Sequence, residues 1–389
     1  MTRAASDHIH KSLADWPYRR VFLTGATGLI GGQLLSELLH LPQVEEVTCL
    51  VRSSNGKEPV ERLGQRLKRG GMRSERLRKA ETRVRVAEGE ITKEMWGMSE
   101  AELDRMRGST DLFIHCAAST SFVDTQSCEA INVTGTRRML EVLQGAQSLK
   151  RLVHFSTATL CGYLPNRVIT EDEALNSGAE HMVAYTYSKA EGERLLWAQA
   201  DKLPLLVVRP SITMARASQD RKHARLFLWS MVAMVELPYV PVNRDSRIDI
   251  VPLDFVVDST MRLIARGDNL KHNCYHLTAG ERAAVTAGQI RDVACAASNV
   301  DGPVFIPPEQ WDPSMERSLA EQGLSSLYEA LLLYLPFINL NLVYDNTRLI
   351  EELGDNLPAL PKFTDYVCRM LHTMVPERMP LSAVEAFGR

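Results

Sequence analysis

The chain of 389 residues has no CxxC pair and no cluster of cysteine with histidine. Its seven cysteines, an odd number, are scattered: Cys49, Cys116, Cys128, Cys161, Cys274, Cys295 and Cys368. Regularly spaced, even-numbered cysteines indicate a disulfide framework, and close Cys/His sets indicate zinc. The sequence therefore predicts reduced thiols, a cytoplasmic location and no metal site.

An excess of charge of one sign is also missing, since 45 Lys and Arg stand against 48 Asp and Glu. Without a basic field, nucleic acid is not favoured as a partner. The ordinary composition, 45% hydrophobic and 24% charged, excludes a disordered scaffold and a collagen-like fibre.

Long hydrophobic runs are scarce, and no apolar run of a secretory signal opens the chain. The segment Phe227–Val235 is too short to span a membrane. The segment Leu324–Val343 is long enough, but Glu329 and Pro336 interrupt it. We predict a buried core or pocket there and no transmembrane span; peripheral contact with a membrane surface stays open as the alternative.

Short apolar runs alternate with helical patterns through the first half of the chain. The runs are Arg20–Thr24, Val47–Val51, Val84–Ala87, Leu112–His115, Leu152–Phe155 and Leu205–Val208, and the helical patterns include 29–39, 99–107, 128–147 and 183–201. Such alternation predicts an α/β fold of the Rossmann type, a doubly wound parallel sheet with helices on both faces.

The alternation weakens after Pro210, where prolines break further helical patterns. We predict a Rossmann domain over residues 18–215, to which residues 248–280 return. Residues 216–247 and 281–389 are predicted to form a smaller, mostly helical C-terminal subdomain for the substrate.

A basic stretch lies between residues 53 and 82. Its cations are Arg62, Arg66, Lys68, Arg69, Arg73, Arg76, Arg78 and Lys79. The simpler interpretation is a solvated helix. The alternative is a docking face for an anionic partner, such as a carrier protein or the phosphates of coenzyme A.

A glycine-rich sequence, TGATGLIG, joins the first predicted strand to the first helix. Gly25 allows a tight turn, Gly28 lets the backbone approach a pyrophosphate, and Gly31 lets helix and strand pack closely. The pyrophosphate then rests on the N-terminus of the helix, whose N–H groups favour anions. The predicted dinucleotide site comprises Thr24, Gly25, Thr27, Gly28, Leu29, Ile30 and Gly31.

The end of the second strand reads the ribose of the cofactor in this kind of fold. An acidic residue there would bind the 2′-hydroxyl of NADH, but this chain has Arg52 and Ser53. Arg52 can pair with a 2′-phosphate and Ser53 can donate a hydrogen bond, which predicts NADPH. A surface arginine without a ligand is the alternative.

A YxxxK pair, Tyr185 and Lys189, falls in a helical pattern about 30 residues after the fifth strand. Residues four apart share one helix face, so a lysine ammonium there can lower the pKa of the tyrosine. Tyr187, with Glu191 four residues on, is the poorer candidate. Hydroxyls follow the fifth strand, where ligands bind in doubly wound sheets.

Together these motifs resemble the extended short-chain dehydrogenase/reductase superfamily. The resemblance rests on TGATGLIG, HCAAS (115–119), NVTGT (132–136), STATLCG (156–162), YTYSK (185–189) and VRPS (208–211). Within the superfamily the chain looks most like the fatty acyl-CoA reductase and thioester reductase branch, the male-sterility-like group. The markers of that branch are LVRSS, the basic insert, GEIT (89–92), DIVPLDFVVD (249–258) and YHLTAG (275–280).

The resemblance implies a Thr–Tyr–Lys catalytic set. Its hydroxyl falls on Thr157, with Ser156 as the fallback, and its tyrosine and lysine fall on Tyr185 and Lys189. The resemblance also implies cofactor contacts from a wider set: Ala117 and Ala118 beside the nicotinamide, Glu90 and Ile91 on the adenine side, and Pro210, Ser211, Ile212 and Lys189.

The implied activity is NADPH-dependent reduction of an acyl thioester, presented by coenzyme A or by an acyl or peptidyl carrier protein. The first product is an aldehyde, and a second reduction to the alcohol stays open. One alternative is an oxidoreductase or epimerase acting on a sugar nucleotide, a sterol or another free carbonyl. A regulator that senses a dinucleotide is a third class. Such a protein would not need the catalytic set, so the presence of that set disfavours this class.

Overall fold

The computed structural model describes residues 13–54, 56–69, 82–175, 180–214 and 235–372. Its strands are β1 (Arg20–Thr24), β2 (Glu46–Val51), β3 (Val84–Glu88), β4 (Leu112–His115), β5 (Arg151–Phe155), β6 (Val168–Ile169), β7 (Leu205–Pro210), β8 (Ile212–Met214), β9 (Tyr239–Pro241), β10 (Arg247–Ile248), β11 (Ile250–Pro252), β12 (Cys274–Leu277), β13 (Val285–Thr286), β14 (Val304–Ile306) and β15 (Val343–Tyr344).

The α-helices of the same ranges are α1 (Leu29–Leu38), α2 (Pro59–Arg69), α3 (Glu100–Ser109), α4 (Thr125–Cys128), α5 (Gly135–Val142), α6 (Ala184–Trp197), α7 (Leu253–Ala265), α8 (Gly280–Ala283), α9 (Ala287–Ser298), α10 (Pro313–Glu321), α11 (Ser325–Leu332), α12 (Leu335–Asn339), α13 (Thr347–Leu353) and α14 (Phe363–His372). A π-helical turn, Glu129–Thr134, joins α4 to α5. Short 3-10 turns cover Glu94–Gly97, Ala158–Cys161, Ala200–Lys202, Gly267–Asn269, Pro308–Gln310 and Gly354–Asn356.

Seven of the strands form one sheet in the order β3-β2-β1-β4-β5-β7-β12, and every pairing is parallel. Strands β4 and β5 are buried along their whole length, as expected for a parallel sheet covered on both faces. The predicted α/β fold of the Rossmann type is therefore confirmed.

The register of the sheet brings polar residues together at its carboxyl edge. Thr24 of β1 lies opposite His115 of β4, and His115 lies opposite His154 of β5. This is the edge at which ligands bind in open α/β sheets. The edge therefore locates the candidate site before any side chain is considered.

The helices cover the sheet through apolar faces. Leu34, Leu35 and Leu38 of α1 are fully buried in one cluster with Val256 and Met261 of α7. Residues 253–277 thus add a helix and the edge strand β12 to the sheet body. The exact domain boundaries stay a prediction, and most of the predicted segment 227–235 lies outside the described residues.

The apolar segment 324–343 forms three short elements, α11, α12 and the start of β15, instead of one continuous helix. Leu331 and Leu335 are buried in a second hydrophobic cluster. Val343 of β15 pairs with Val168 of β6, so this segment packs beside the loop that follows β5. No helix within the described ranges has both the length and the hydropathy to cross a membrane.

Candidate active site

The glycine loop between β1 and α1 has the shape that a dinucleotide phosphate requires. Gly25 has a left-handed φ of 74°, and a Cβ atom there would lie 2.5 Å from the carbonyl carbon of Cys116. A Cβ on Gly31 would lie 2.3 Å from the Gly25 oxygen. Gly28 is the N-cap of α1 and no side chain caps it, so the first N–H groups of the helix are open to an anion.

Arg66 braces this loop from α2. Its side chain is buried, and Nε and Nη2 each donate a hydrogen bond of 2.9 Å, to the Gly28 and Leu29 carbonyls respectively. The prediction of a solvated helix is wrong for this residue, because its guanidinium fixes the loop. Residues 70–81, which hold Arg73, Arg76, Arg78 and Lys79, lie outside the described residues.

The predicted ribose end of the site combines cations with acids. Arg52 Nη1 forms an ion pair of 3.1 Å with Glu90 Oε1, and the Ser53 hydroxyl donates a 2.6 Å hydrogen bond to Glu88. Arg62, a residue to which we assigned no cofactor role, donates to the Arg52 carbonyl. Arg62 lies one helical turn before Arg66, and this spacing was the sequence signal that could have indicated its place beside the site.

A left-handed turn supports the predicted adenine side of the cofactor site. Met95, Trp96 and Gly97 all have positive φ values, 47°, 56° and 69°. The turn is held by Trp96, which is fully buried and stacks on Phe22. The Trp96 carbonyl accepts a 2.9 Å hydrogen bond from the Glu90 N–H, so the turn fixes the backbone of Glu90.

Thr157 and Tyr185 come together at the carboxyl edge of the sheet. Thr157 caps the 3-10 turn after β5, and its hydroxyl lies near enough to the Tyr185 phenol to lower the pKa of that phenol. Burial nevertheless raises the pKa of Tyr185 to about 12. Burial outweighs any lowering of this pKa by Lys189 here, so the phenol is protonated at neutral pH, and the expected effect of Lys189 stays a prediction.

Lys189 lies four residues after Tyr185 on α6 and is buried. Its Nζ donates a 2.6 Å hydrogen bond to the Phe155 carbonyl and lies 3.5 Å from His154 Nε2. Burial lowers the pKa of Lys189 to about 8. Burial also lowers the pKa of His115 to about 3 and that of His154 well below its usual range, so two neutral imidazoles stand beside the ammonium.

The π-helical turn sets the position of helix α6. Asn132, within the turn, donates 2.8 Å to the Ser188 hydroxyl and 2.9 Å to the Ser119 carbonyl. A Cβ on Gly192 would lie 2.4 Å from the Asn132 carbonyl oxygen. The close approach of α6 to the π turn therefore requires glycine at position 192. This contact fixes the distance of α6 from the sheet, and with it the positions of Tyr185 and Lys189. The predicted single helix over 128–147 missed this π turn.

A buried ion pair lies four residues beyond the lysine. Glu193 is fully buried and is bonded by the guanidinium of Arg209, with Nε 3.1 Å from Oε1. Trp197 Nε1 donates a further 2.8 Å bond, and Arg209 Nη1 donates to the Glu171 carbonyl. The arginine lowers the pKa of Glu193 and keeps it charged. We assigned no role to this pair, although Glu193 shares the helix face of Lys189.

Aromatic side chains form the outer wall of the site. Phe122 stacks on Tyr185 with ring centroids 6.4 Å apart and contacts Phe337 at 5.2 Å and Tyr334 at 5.7 Å. A small cleft lies beside this wall. Its lining is mainly apolar: Thr159, Gly162, Met182, Thr186, Phe337, Leu340, Leu342 and Tyr344.

The other predicted residues lie along the same edge. The Ala117 N–H bonds the Thr24 hydroxyl at 3.3 Å, and Ala118 is exposed. Ile91 packs near Gly135 at the start of α5. Pro210, Ser211 and Ile212 follow at the end of β7. Tyr187 is 49% exposed, so the structure separates it from this cluster, whereas the fallback Ser156 is buried.

Metal chemistry has no visible ligand set, since no group of three or more His, Cys, Asp or Glu side chains in the described ranges could hold an ion. A Rossmann sheet with a glycine loop, a strand-end threonine and a YxxxK helix at one edge defines the class as an extended short-chain dehydrogenase/reductase.

Comparison with known proteins gives the family. A profile described as "Male sterility protein", an NAD-binding domain, matches residues 23–260, and the chain belongs to this family. Human fatty acyl-CoA reductase 1 is 27% identical over 278 residues, which cover 62% of this chain and 54% of the reductase. The nonribosomal peptide synthetase asaC of Aspergillus flavus is 27% identical over 283 residues, which cover 69% of this chain and 27% of the synthetase.

The chain therefore spans about half the length of the fatty acyl-CoA reductase it matches. In structure it is similar to the terminal R domain from the myxalamid PKS-NRPS biosynthetic pathway, with a TM-score of 0.77 and 22% identity over 97% of this chain and 100% of that domain. The predicted superfamily and branch are confirmed, as are the oxidoreductase class and a nicotinamide cofactor.

Proposed function

We propose that the protein reduces an acyl thioester with NADPH, and that the thioester is carried by coenzyme A or by an acyl or peptidyl carrier protein. The observation that carries this proposal is the proximity of the Thr157 hydroxyl to the Tyr185 phenol at the carboxyl edge of the sheet. Similarity to a fatty acyl-CoA reductase and to a synthetase supports a thioester as substrate.

The residues present fit the proposed cofactor. The turn at Gly25 leaves no room for a side chain, and the uncapped N-terminus of α1 offers N–H groups to a pyrophosphate. Arg52, Ser53 and Arg62 would hold a 2′-phosphate, which favours NADPH. Lys189 and the Ala117 backbone would contact the nicotinamide half. When bound, NADPH supplies the hydride of the reduction.

Thr157 and Tyr185 act on the carbonyl oxygen of the thioester. Both hydroxyls donate hydrogen bonds to this oxygen and stabilise the negative charge that develops on it. The Tyr185 phenol is protonated at neutral pH and donates its proton to this oxygen. Because burial raises the pKa of Tyr185 to about 12, a nearby cation has to stabilise the phenolate as it forms. Transfer of that proton gives a hemithioacetal, which separates into an aldehyde and a free thiol.

Lys189 supports the proton transfer from Tyr185. Its ammonium is held by the Phe155 carbonyl and stands beside two neutral histidines, so it is the cation that remains near the tyrosine as the phenolate forms. The aromatic wall of Phe122, Tyr334 and Phe337 excludes water on the substrate side.

The test is NADPH consumption by the purified protein with acyl-CoAs of increasing length and with acyl carrier proteins, followed by identification of the product. An aldehyde or an alcohol supports the proposal and shows whether one or two reductions occur. Turnover of a free ketone or alcohol, with none of any thioester, would replace it with the oxidoreductase or epimerase alternative.

Tyr185→Phe should lower turnover by at least about a hundredfold, because the variant loses the proton donor. NADPH binding, measured by the fluorescence of the nicotinamide, should remain. Tyr187→Phe is the matched control, since this tyrosine lies two residues away and is half-exposed. Full turnover by Tyr185→Phe would contradict the assignment.

A further inference from the structure

We propose that Glu90 sets the margin by which this protein prefers NADPH over NADH, because its carboxylate competes with the 2′-phosphate for Arg52. The inference rests on the cofactor named in the proposed function and does not depend on the acyl substrate. It makes Glu90 a specificity-determining residue whose action opposes the arginines beside it.

The geometry places the acid on the cation that the phosphate needs. Arg52 Nη1 and Glu90 Oε1 lie 3.1 Å apart. The Arg52 side chain is 51% exposed and can reach a ligand, whereas that of Glu90 is only 24% exposed. The same carboxylate also acts on Arg62: burial and the charge of Arg52 lower the pKa of Arg62, and Glu90 opposes them. One acid therefore offsets both guanidinium groups.

Glu90 cannot easily move its backbone away when a ligand arrives. Its N–H is bonded to the Trp96 carbonyl at 2.9 Å, and that carbonyl belongs to the left-handed turn formed with Met95 and Gly97. A Cβ on Gly89 would lie 2.7 Å from the same oxygen. Positive φ at two residues with side chains is costly and persists only where the surroundings impose it. The buried Trp96 ring supplies that constraint.

The two cofactors meet this acid differently. A 2′-phosphate brings about two negative charges toward Glu90, whereas the 2′-hydroxyl of NADH is neutral and can donate a hydrogen bond to a carboxylate. Glu88, which accepts from Ser53, acts in the same direction. The arginines therefore favour NADPH, and the acids at the end of β3 reduce the preference.

The test measures binding of both dinucleotides by nicotinamide fluorescence, without substrate. Glu90→Gln keeps the shape of the side chain and removes its charge. We expect the ratio of Kd for NADH to Kd for NADPH to rise about three- to tenfold, as for a screened charge pair at a partly exposed site. Glu94→Gln is the matched control, because it removes the same charge from the same loop at an exposed position.

A second variant separates competition from a structural role. In an Arg52→Ala background, Glu90→Gln should raise the Kd ratio by less than it does in the wild-type protein, because one of the two cations that Glu90 offsets is gone. An unchanged ratio in the single variant, or equal weakening of both dinucleotides, would overturn the inference. Failure of the wild-type protein to bind either dinucleotide would overturn it together with the proposed cofactor. Binding without turnover of any thioester would contradict only the proposed substrate.

Discussion

Lys189→Met should make the protein more stable at neutral pH although it removes a proposed catalytic group. Methionine matches the lysine stem in length and carries no charge. Lys189 is buried, and its ammonium has one short bond, to the Phe155 carbonyl. The wild-type protein therefore bears the cost of keeping a cation in a dry site.

The size of that cost follows from the pKa. Burial lowers the pKa of Lys189 from 10.5 to about 8, and each pKa unit corresponds to about 1.4 kcal/mol, so the cost is about 3 kcal/mol at pH 7. The unfolded chain binds more protons between these pKa values, so the cost falls as pH rises, by about 2 kcal/mol between pH 7 and pH 9.5. The variant leaves the Phe155 carbonyl without its donor, which takes back about 1–2 kcal/mol.

The net expectation is a gain of about 1–2 kcal/mol for Lys189→Met at pH 7, which disappears near pH 9.5. Urea unfolding of both proteins, followed by tryptophan fluorescence at the two pH values, measures it. A variant less stable than wild type at pH 7, or a difference that does not change with pH, would refute the reasoning.

Two further variants test the packing around the site. Arg209→Met should destabilise the fold by about 3–5 kcal/mol in urea unfolding, because it leaves the buried Glu193 carboxylate unpaired, and adding Glu193→Leu should restore most of the loss; no recovery in the double variant would show that the pair is not the cause. Gly25→Ala should abolish NADPH binding in the fluorescence assay and lower stability by at least about 2 kcal/mol, since φ is left-handed and the new Cβ meets the Cys116 backbone. Gly64→Ala, in a helix with nothing within 4 Å, is its control and should be neutral or stabilising; equal effects of the two substitutions would contradict the argument.

The sheet was predictable because its strands are buried on both faces. Such strands appear as continuous apolar runs, and 112–115 and 205–208 lie in the observed strands β4 and β7. The glycine loop was predictable because backbone approach and left-handed φ demand glycine at fixed spacing. Local rules thus carry both the fold class and the cofactor site.

The irregular backbone was not predictable. A π turn inserts one extra residue per turn without changing the apolar pattern, so residues 129–134 were taken into one predicted helix. The left-handed turn at Met95 and Trp96 depends on burial of the tryptophan ring, which is a tertiary effect. Gly97 was the only local sign of it.

Some side-chain roles could likewise be predicted from the sequence, and others could not. The meeting of Thr157 with Tyr185 was expected from their positions at a strand end and a helix face. Arg66 in α2 and the pair of Glu193 in α6 with Arg209 in β7 were missed because the sequence does not show whether a charged side chain is solvated or buried. Which neighbours cover each guanidinium is decided by the sheet and its loops.

The contact between Gly192 and Asn132 has a consequence for how such proteins diversify. The position of helix α6 is set by the π turn, through the bond of Asn132 to Ser188 and the close contact at Gly192, and by the Phe155 carbonyl, which binds Lys189. The C-terminal part reaches Tyr185 through Phe122. We therefore expect that exchange of residues around Phe337 changes the substrate preference while the reacting groups keep their alignment. Evolution, or the design of chimaeric proteins, can then vary selectivity and reactivity separately.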